Sequence, residues 1–203
     1  FGQIGFILGA VGWGTTIAMI GAIVYAFNHA FVKSSLLMLT GVVSSRNKKK
    51  SAKLKDITGV AKPFWLVGIL YFLGGMALAG IPPMNGFISK VALVRGGIDA
   101  EAWLTLGLAV GAGLITMMYM TRTWSLMFQQ KPNENTAKLK PEGEGDSVLA
   151  PALLIGICVL LGFYAGPLIE IAEMTVMQME DPQIYIEAVG LAIEVAPDVA
   201  AGG

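Results

Sequence analysis

The sequence predicts an all-α integral membrane protein, and three observations carry that prediction. Of its 203 residues, 55% are hydrophobic and only 14% charged, whereas about a quarter of a soluble domain is charged. Mean hydropathy is +0.67, and several apolar runs approach the ~20 residues a helix needs to cross a bilayer. The net charge is zero, yet half of the 14 Lys and Arg residues fall between Arg46 and Lys62. Such crowding of basic residues into a short loop is the mark of membrane topology.

Residues 1–12 read as the end of one span, in what looks like the C-terminal part of a longer protein. Trp13, Gly14, Thr15 and Thr16 suit a turn at the membrane interface. Residues 17–44 form a long helix that carries Asn28, His29 and Lys33. The loop 46–62 holds Arg46, Lys48, Lys49, Lys50, Lys53, Lys55 and Lys62 against Asp56 alone. By the positive-inside rule it faces the cytoplasm.

Residues 63–95 contain a break. Gly80-Ile81-Pro82-Pro83-Met84-Asn85-Gly86 interrupts an apolar run, and Lys90 follows at once. Two adjacent prolines remove two backbone donors and break the helical ladder. The piece 86–95 would extend only about 15 Å, too short to span alone. The segment 63–95 is therefore one discontinuous helix that passes outward. Residues 102–128 return inward, and the polar loop 129–147, with Lys131, Lys138 and Lys140, is again cytoplasmic. Residues 148–166 go out once more and close a polytopic domain over 1–166.

The remainder, 167–203, reads as an acidic tail outside the membrane. It carries Glu170, Glu173, Glu180, Asp181, Glu187, Glu194 and Asp198 and no Lys or Arg. Asp181 followed by Pro182 is a helix start, so a short surface helix is expected near 182–193.

Ionisable side chains are few inside the spans, and none is Asp or Glu. Arg95 and Arg122 lie near span ends and can reach the interface. His29 and Lys33 are four residues apart and share a helix face. With Tyr25 one turn earlier, they make a polar ladder. Lys90 is the sharper case. Desolvation and the positive end of a half-helix both destabilise an ammonium there. Ionisable groups at membrane depth are rare and mark ion pathways. Lys90, Lys33 and His29 are thus the candidate proton carriers. Tyr25, Asn28, Asn85 and Ser89 are candidates to line the polar path. Gly80, Pro82, Pro83 and Gly86 would form the break and its gate, since irregular backbone at membrane depth survives where it lines a cavity.

No P-loop, paired intramembrane carboxylates or Cys/His cluster is present, so no metal and no cofactor are expected. Cys158 alone excludes an internal disulfide. The basic loop lacks interleaved aromatics, and no nucleic-acid partner is expected.

These motifs resemble a known family. Asn28-His29-Ala30-Phe31-Val32-Lys33, followed by Leu36, Leu37 and Gly41, is similar to the His-Ala-x-x-Lys helix of antiporter-like subunits. Such subunits occur in respiratory complex I, membrane-bound hydrogenases and Mrp-type Na+/H+ antiporters. The loop Leu54-Lys55-Asp56-Ile57-Thr58-Gly59 resembles the one after that helix. Gly80 to Lys90 resembles the family's discontinuous-helix motif, and Gly2-Gln3-Ile4-Gly5-Phe6 resembles the end of the preceding motif. The tail around Tyr185 most resembles the D-type branch of the Mrp antiporter proteins.

The resemblance implies two inverted five-helix repeats, each with a broken helix. This chain would hold the second repeat and one last transmembrane helix. It implies proton-carrying roles for Lys90 and Lys33 and a connecting role for His29. A second histidine found one turn earlier in some relatives is Tyr25 here. The implied function is a proton-translocating membrane subunit of a multisubunit Na+/H+ antiporter in a prokaryotic inner membrane. Its partners would be the other membrane subunits, the lipid bilayer and protons. Na+ would belong to the wider assembly, with no Na+ site in these residues. The alternatives are a proton-pumping subunit of complex I or of a hydrogenase, and a purely structural membrane subunit.

Overall fold

The computed structural model describes residues 2–47, 51, 53–134, 136, 137, 139, 145–181, 183, 186, 187, 189 and 190. Among these residues every regular element is helical. Helix α1 spans Gly2–Trp13 and α2 spans Thr16–Ser45. Gly14, at φ 70°, makes the turn between them. The Thr15 hydroxyl then caps α2 by accepting from the Ala18 amide at 3.2 Å. At 30 residues, α2 is about 45 Å long. It is the axis on which the other helices pack.

The broken span is α3 (Trp65–Ala79) and α4 (Asn85–Asp99). Neither half, at 15 residues, covers the ~30 Å hydrocarbon core. Helix α3 ends on Gly80, in the left-handed region at φ 77°. The Gly80 amide donates to the Ala77 carbonyl and the Ile81 amide to the Met76 carbonyl. That pair of bonds satisfies carbonyls a helix end leaves free. Helix α4 restarts at Asn85 and packs along α2 through small residues. Gly96 sits over Ala18, and Gly21 lies against the backbone of Ala92 and Leu93. Small residues allow the close helix approach that holds membrane bundles together.

Helix α5 (Trp103–Trp124) returns beside α3 and α4 and closes in a π-helical turn over Ser125–Gln129. The turn's Met127 carbonyl accepts from the Val60 amide at 2.9 Å. The second half of the basic loop, residues 53–62, is thereby folded back onto the bundle. Asn47 and Asn133 pin it further by donating to the Asp56 and Lys55 carbonyls. Below the loop, the apolar core at this end is built from Leu39, Val42, Val43, Ile57, Val60, Phe64 and Met127.

Helix α6 covers Leu149–Phe163 and α7 covers Gly166–Glu180. The two meet at an elbow of 82°. Here the structure departs from the sequence reading, which has residues after 166 as an acidic tail. Residues 166–180 are instead a helix. It buries Leu168, Ala172 and Val176, with Leu168 and Ala172 against Val24 of α2. Its acids lie off that stripe: Glu170, Glu173 and Glu180 are all exposed. Counting charge alone misses the apolar spacing beneath it. The expected surface helix near 182–193 falls mostly outside the described residues, as do Lys48, Lys49, Lys50, Lys138 and Lys140.

The fold is that of a multi-pass membrane protein. Helix α2 and the run Trp103–Gln129 are long and apolar enough to cross a bilayer, and the bent pair α6–α7 passes the same test when taken together.

Candidate functional site

The break lies against the middle of α2, and the polar residues of both elements meet there. Asn28 donates to the Asn85 carbonyl (3.2 Å) and to the Ser89 hydroxyl (3.3 Å). Asn85 returns a bond from its side-chain amide to the Asn28 side-chain oxygen at 2.9 Å. All three side chains are buried. This amide pair fixes the start of α4 to α2. Gly86 permits the contact between the two halves of the span. A Cβ there would come within 1.7 Å of the Ala77 carbonyl oxygen.

Lys90, one turn into α4, reaches back across the break. Its Nζ donates to the Ala79 carbonyl at 2.5 Å and stands 5.9 Å from the centroid of the Phe6 ring. The sequence reading stresses the positive N-terminal end of α4. The structure adds the negative C-terminal end of α3, aimed at the same ammonium. Gly80 leaves room for this: a Cβ there would lie 2.5 Å from Lys90 Cδ.

On α2, Tyr25 and His29 stack with ring centroids 6.4 Å apart. The Tyr25 hydroxyl donates to the Gln3 side-chain oxygen, and Gln3 donates to the Thr116 hydroxyl at 3.0 Å. Gln3 and Thr116 are buried polar residues that the sequence reading passes over. Each is a lone polar side chain in an apolar run, which is the available signal. His29 Nε2 is buried and has no hydrogen-bond partner among the described residues.

Three cavities link these groups. A small one, of about 10 Å³, is lined by Tyr25, Asn28, His29, Ser89 and Lys90 among others, which is room for roughly one water. A second, of about 400 Å³, lies between α1, α2 and α5 and is lined by Gln3, His29, Lys33, Thr116 and Tyr119. A third, of about 410 Å³, lies between α4 and α5 and holds Lys90 and Arg95. Lys90 thus lines the small and the third cavities. His29 lines the small and the second. Lys33 lines the second only and is exposed.

The structure thus brings together Tyr25, Asn28, His29, Asn85, Ser89 and Lys90, and sets Lys33 one cavity away. Gly80, Pro82, Pro83 and Gly86 make the break itself. Sequence reasoning also misses Gly162 in α6, which packs against that break. A Cβ on it would meet the Pro83 carbonyl oxygen at 2.0 Å.

Residues 1–116 match a family described as NADH:quinone oxidoreductase/Mrp antiporter, transmembrane. The D subunit of the Na(+)/H(+) antiporter of Alkalihalophilus pseudofirmus is 31% identical over 189 residues, covering 92% of this chain and 37% of that protein. The N subunit of the NADH-quinone oxidoreductase of Desulforudis audaxviator is 29% identical over 173 residues, covering 80% of this chain and 34% of its own length. The chain therefore spans little more than a third of these relatives. Among solved structures, a chain of the Mrp complex from Dietzia sp. DQ12-45-1b superposes with a TM-score of 0.80 at 24% identity, covering 92% of this chain and 42% of that one. A chain of an archaeal membrane-bound sulfane sulfur reductase also gives 0.80, at 21% identity over 91% of this chain and 37% of that one.

Proposed function

We propose that this chain, which belongs to the NADH:quinone oxidoreductase/Mrp antiporter transmembrane family, carries protons within a multisubunit Na+/H+ antiporter. Its residues form the second five-helix repeat and a last, bent span. The loop 46–62 faces the cytoplasm of a prokaryotic cell, and the ends of α1 and α4 face the opposite side. Other membrane subunits of the antiporter are its partners.

The observation that carries the reading is the sharing of one small cavity by Lys90 and His29, with His29 also lining the larger cavity that holds Lys33. A proton on Lys90 passes through a water in the small cavity to His29. From there it moves through the second cavity to Lys33. The break at Gly80–Gly86 holds the Ala79 carbonyl against the ammonium and lets go of it when the proton leaves. His29 Nε2, with no competing partner among the described residues, is free to accept from that water. Asn28, Asn85 and Ser89 hold the two helices at the spacing the transfer needs.

The test is Lys90→Ala in the full complex, with Na+-driven proton movement followed in vesicles. Loss of movement with normal assembly supports the proposal, and normal movement with normal assembly sinks it. A second reading rests on the similarity to the N subunit of NADH-quinone oxidoreductase: the same residues would carry protons in a redox-driven complex. Purification from the native membrane separates the two, because only the second reading has redox proteins co-purifying with the chain.

A further inference from the structure

The third cavity has a character that proton transfer does not need. It is a long apolar groove on the side of the bundle, open between α4 and α5. Phe87, Val110, Leu114 and Met117, which line it, are exposed hydrophobic residues. At one end lies the break, with Ile81 and Lys90. Arg95 marks the other end, and from Asn85 to Arg95 the helix rises about 15 Å. No carboxylate is among the lining residues. Asp99, one turn beyond Arg95, is not in the lining.

The depth of Arg95 can be read from the tryptophans. The Trp13 ring touches the position of Gly97, and its indole donates to Thr105 at 2.8 Å. Trp103 is exposed at the same end. Tryptophans gather at the headgroup level of a bilayer. Arg95 therefore sits about half a turn inside that level, where a phosphate lies and an arginine can pair with it through two N–H groups.

We propose that this groove holds one acyl chain of an anionic phospholipid, with the phosphate on Arg95 and the chain running down α4 to the break. The charge complementarity favours an anionic lipid over a neutral one. The apolar lining favours a hydrocarbon chain over water. A chain seated there also closes the lipid-facing side of Lys90 and leaves the small cavity as its polar outlet.

The experiment uses the full-length protein in its assembled complex, in vesicles of phosphatidylcholine and phosphatidylglycerol in equal parts. A trace phospholipid with a photoactivatable acyl chain is added, with either the neutral or the anionic headgroup. Labelled peptides are then mapped. The anionic probe should label 87–94 and 109–117 about fivefold more than the neutral one, the effect of one basic side chain at an anionic headgroup. Arg95→Gln should equalise the two probes. Ala109→Phe, which fills the groove, should lower labelling by both. Equal labelling of the native protein by both probes overturns the proposal, as does labelling elsewhere alone. So does a photo-crosslinker at Val110 that captures a protein chain instead of lipid. If Ala109→Phe fails to assemble, the Arg95 variant and the headgroup comparison still decide.

Discussion

Gly162 of α6 lies against the carbonyl of Pro83, so close that a Cβ on Gly162 would stand 2.0 Å from that oxygen and 3.0 Å from the Asn85 amide. The elbow that bends α6 into α7 therefore touches the break that separates α3 from α4. Gly162 thus couples the α3–α4 break to the α6–α7 elbow. Gly162→Ala forces backbone to move, and overpacking of this kind costs about 1–3 kcal/mol. The expected outcome is a lower Tm of the purified full-length protein. Gly156→Ala, on the same helix with nothing within 4 Å of its Cβ, is the control and should leave the Tm unchanged or raise it.

Gly80 serves two purposes that one pair of variants can separate. Its φ of 77° terminates α3, and its missing side chain leaves space for Lys90. Gly80→Ala puts a Cβ in the left-handed region, at about 1–2 kcal/mol, and crowds the lysine. Gly80→Asn tolerates that backbone conformation better but crowds the lysine as much. Thermal unfolding should show Asn recovering part of the stability lost with Ala. Proton movement in vesicles should remain depressed in both. Full recovery of transport with Asn would mean that the space beside Lys90 has no bearing on its work.

The Asn28–Asn85 pair joins α2 to the start of α4 through bonds in both directions. Asn28→Ala leaves the buried Asn85 Nδ2 without its acceptor, and Asn85→Ala leaves the buried Asn28 Oδ1 without its donor, each at a cost of about 1–3 kcal/mol. Removing both leaves nothing unpaired between them. Asn28→Ala and Asn85→Ala should therefore each destabilise, and the double variant should destabilise by less than their sum. A double-mutant cycle on denaturation midpoints measures that coupling. Strict additivity would remove the pair as the link between the helices.

How much of this is legible in the sequence follows from what each residue signals by itself. The break announces itself, because two prolines in an apolar run have no place in an unbroken helix. Lys90, His29 and Lys33 stand out because charge at membrane depth is rare. Gln3 and Thr116 do not, since one neutral polar residue per span is cheap and common. Gly162 cannot be read at all: its role comes from a backbone oxygen 79 residues earlier in the chain, a contact no local pattern encodes. The elbow is only half legible. Gly166 and Pro167 mark where one helix stops and the next starts, but the 82° bend itself arises where α7 turns to lay Leu168 and Ala172 on α2. Sequence periodicity locates helices well, and it says little about where a tertiary contact bends them.

Lys33 separates a transport role from a structural one by the sign of its effect on stability. It is exposed on α2 and lines the 400 Å³ cavity with His29. A lysine at the centre of a transmembrane helix costs about 2.5–3.5 kcal/mol when it lacks a partner. If Lys33 held the assembly together through an ion pair, Lys33→Met would strand the opposite charge and lower the stability of the complex. If it only receives protons from His29, the same change removes an unfavourable charge, and stability should hold or rise. The expected outcome is unchanged or raised thermal stability of the assembled complex, together with proton movement reduced by about 100-fold, the range of a lost acid–base group. Lys33→Arg keeps the charge but cannot release its proton, so it should be as inactive as Met. Active Lys33→Arg protein would show that the charge alone matters and that no proton passes through this residue.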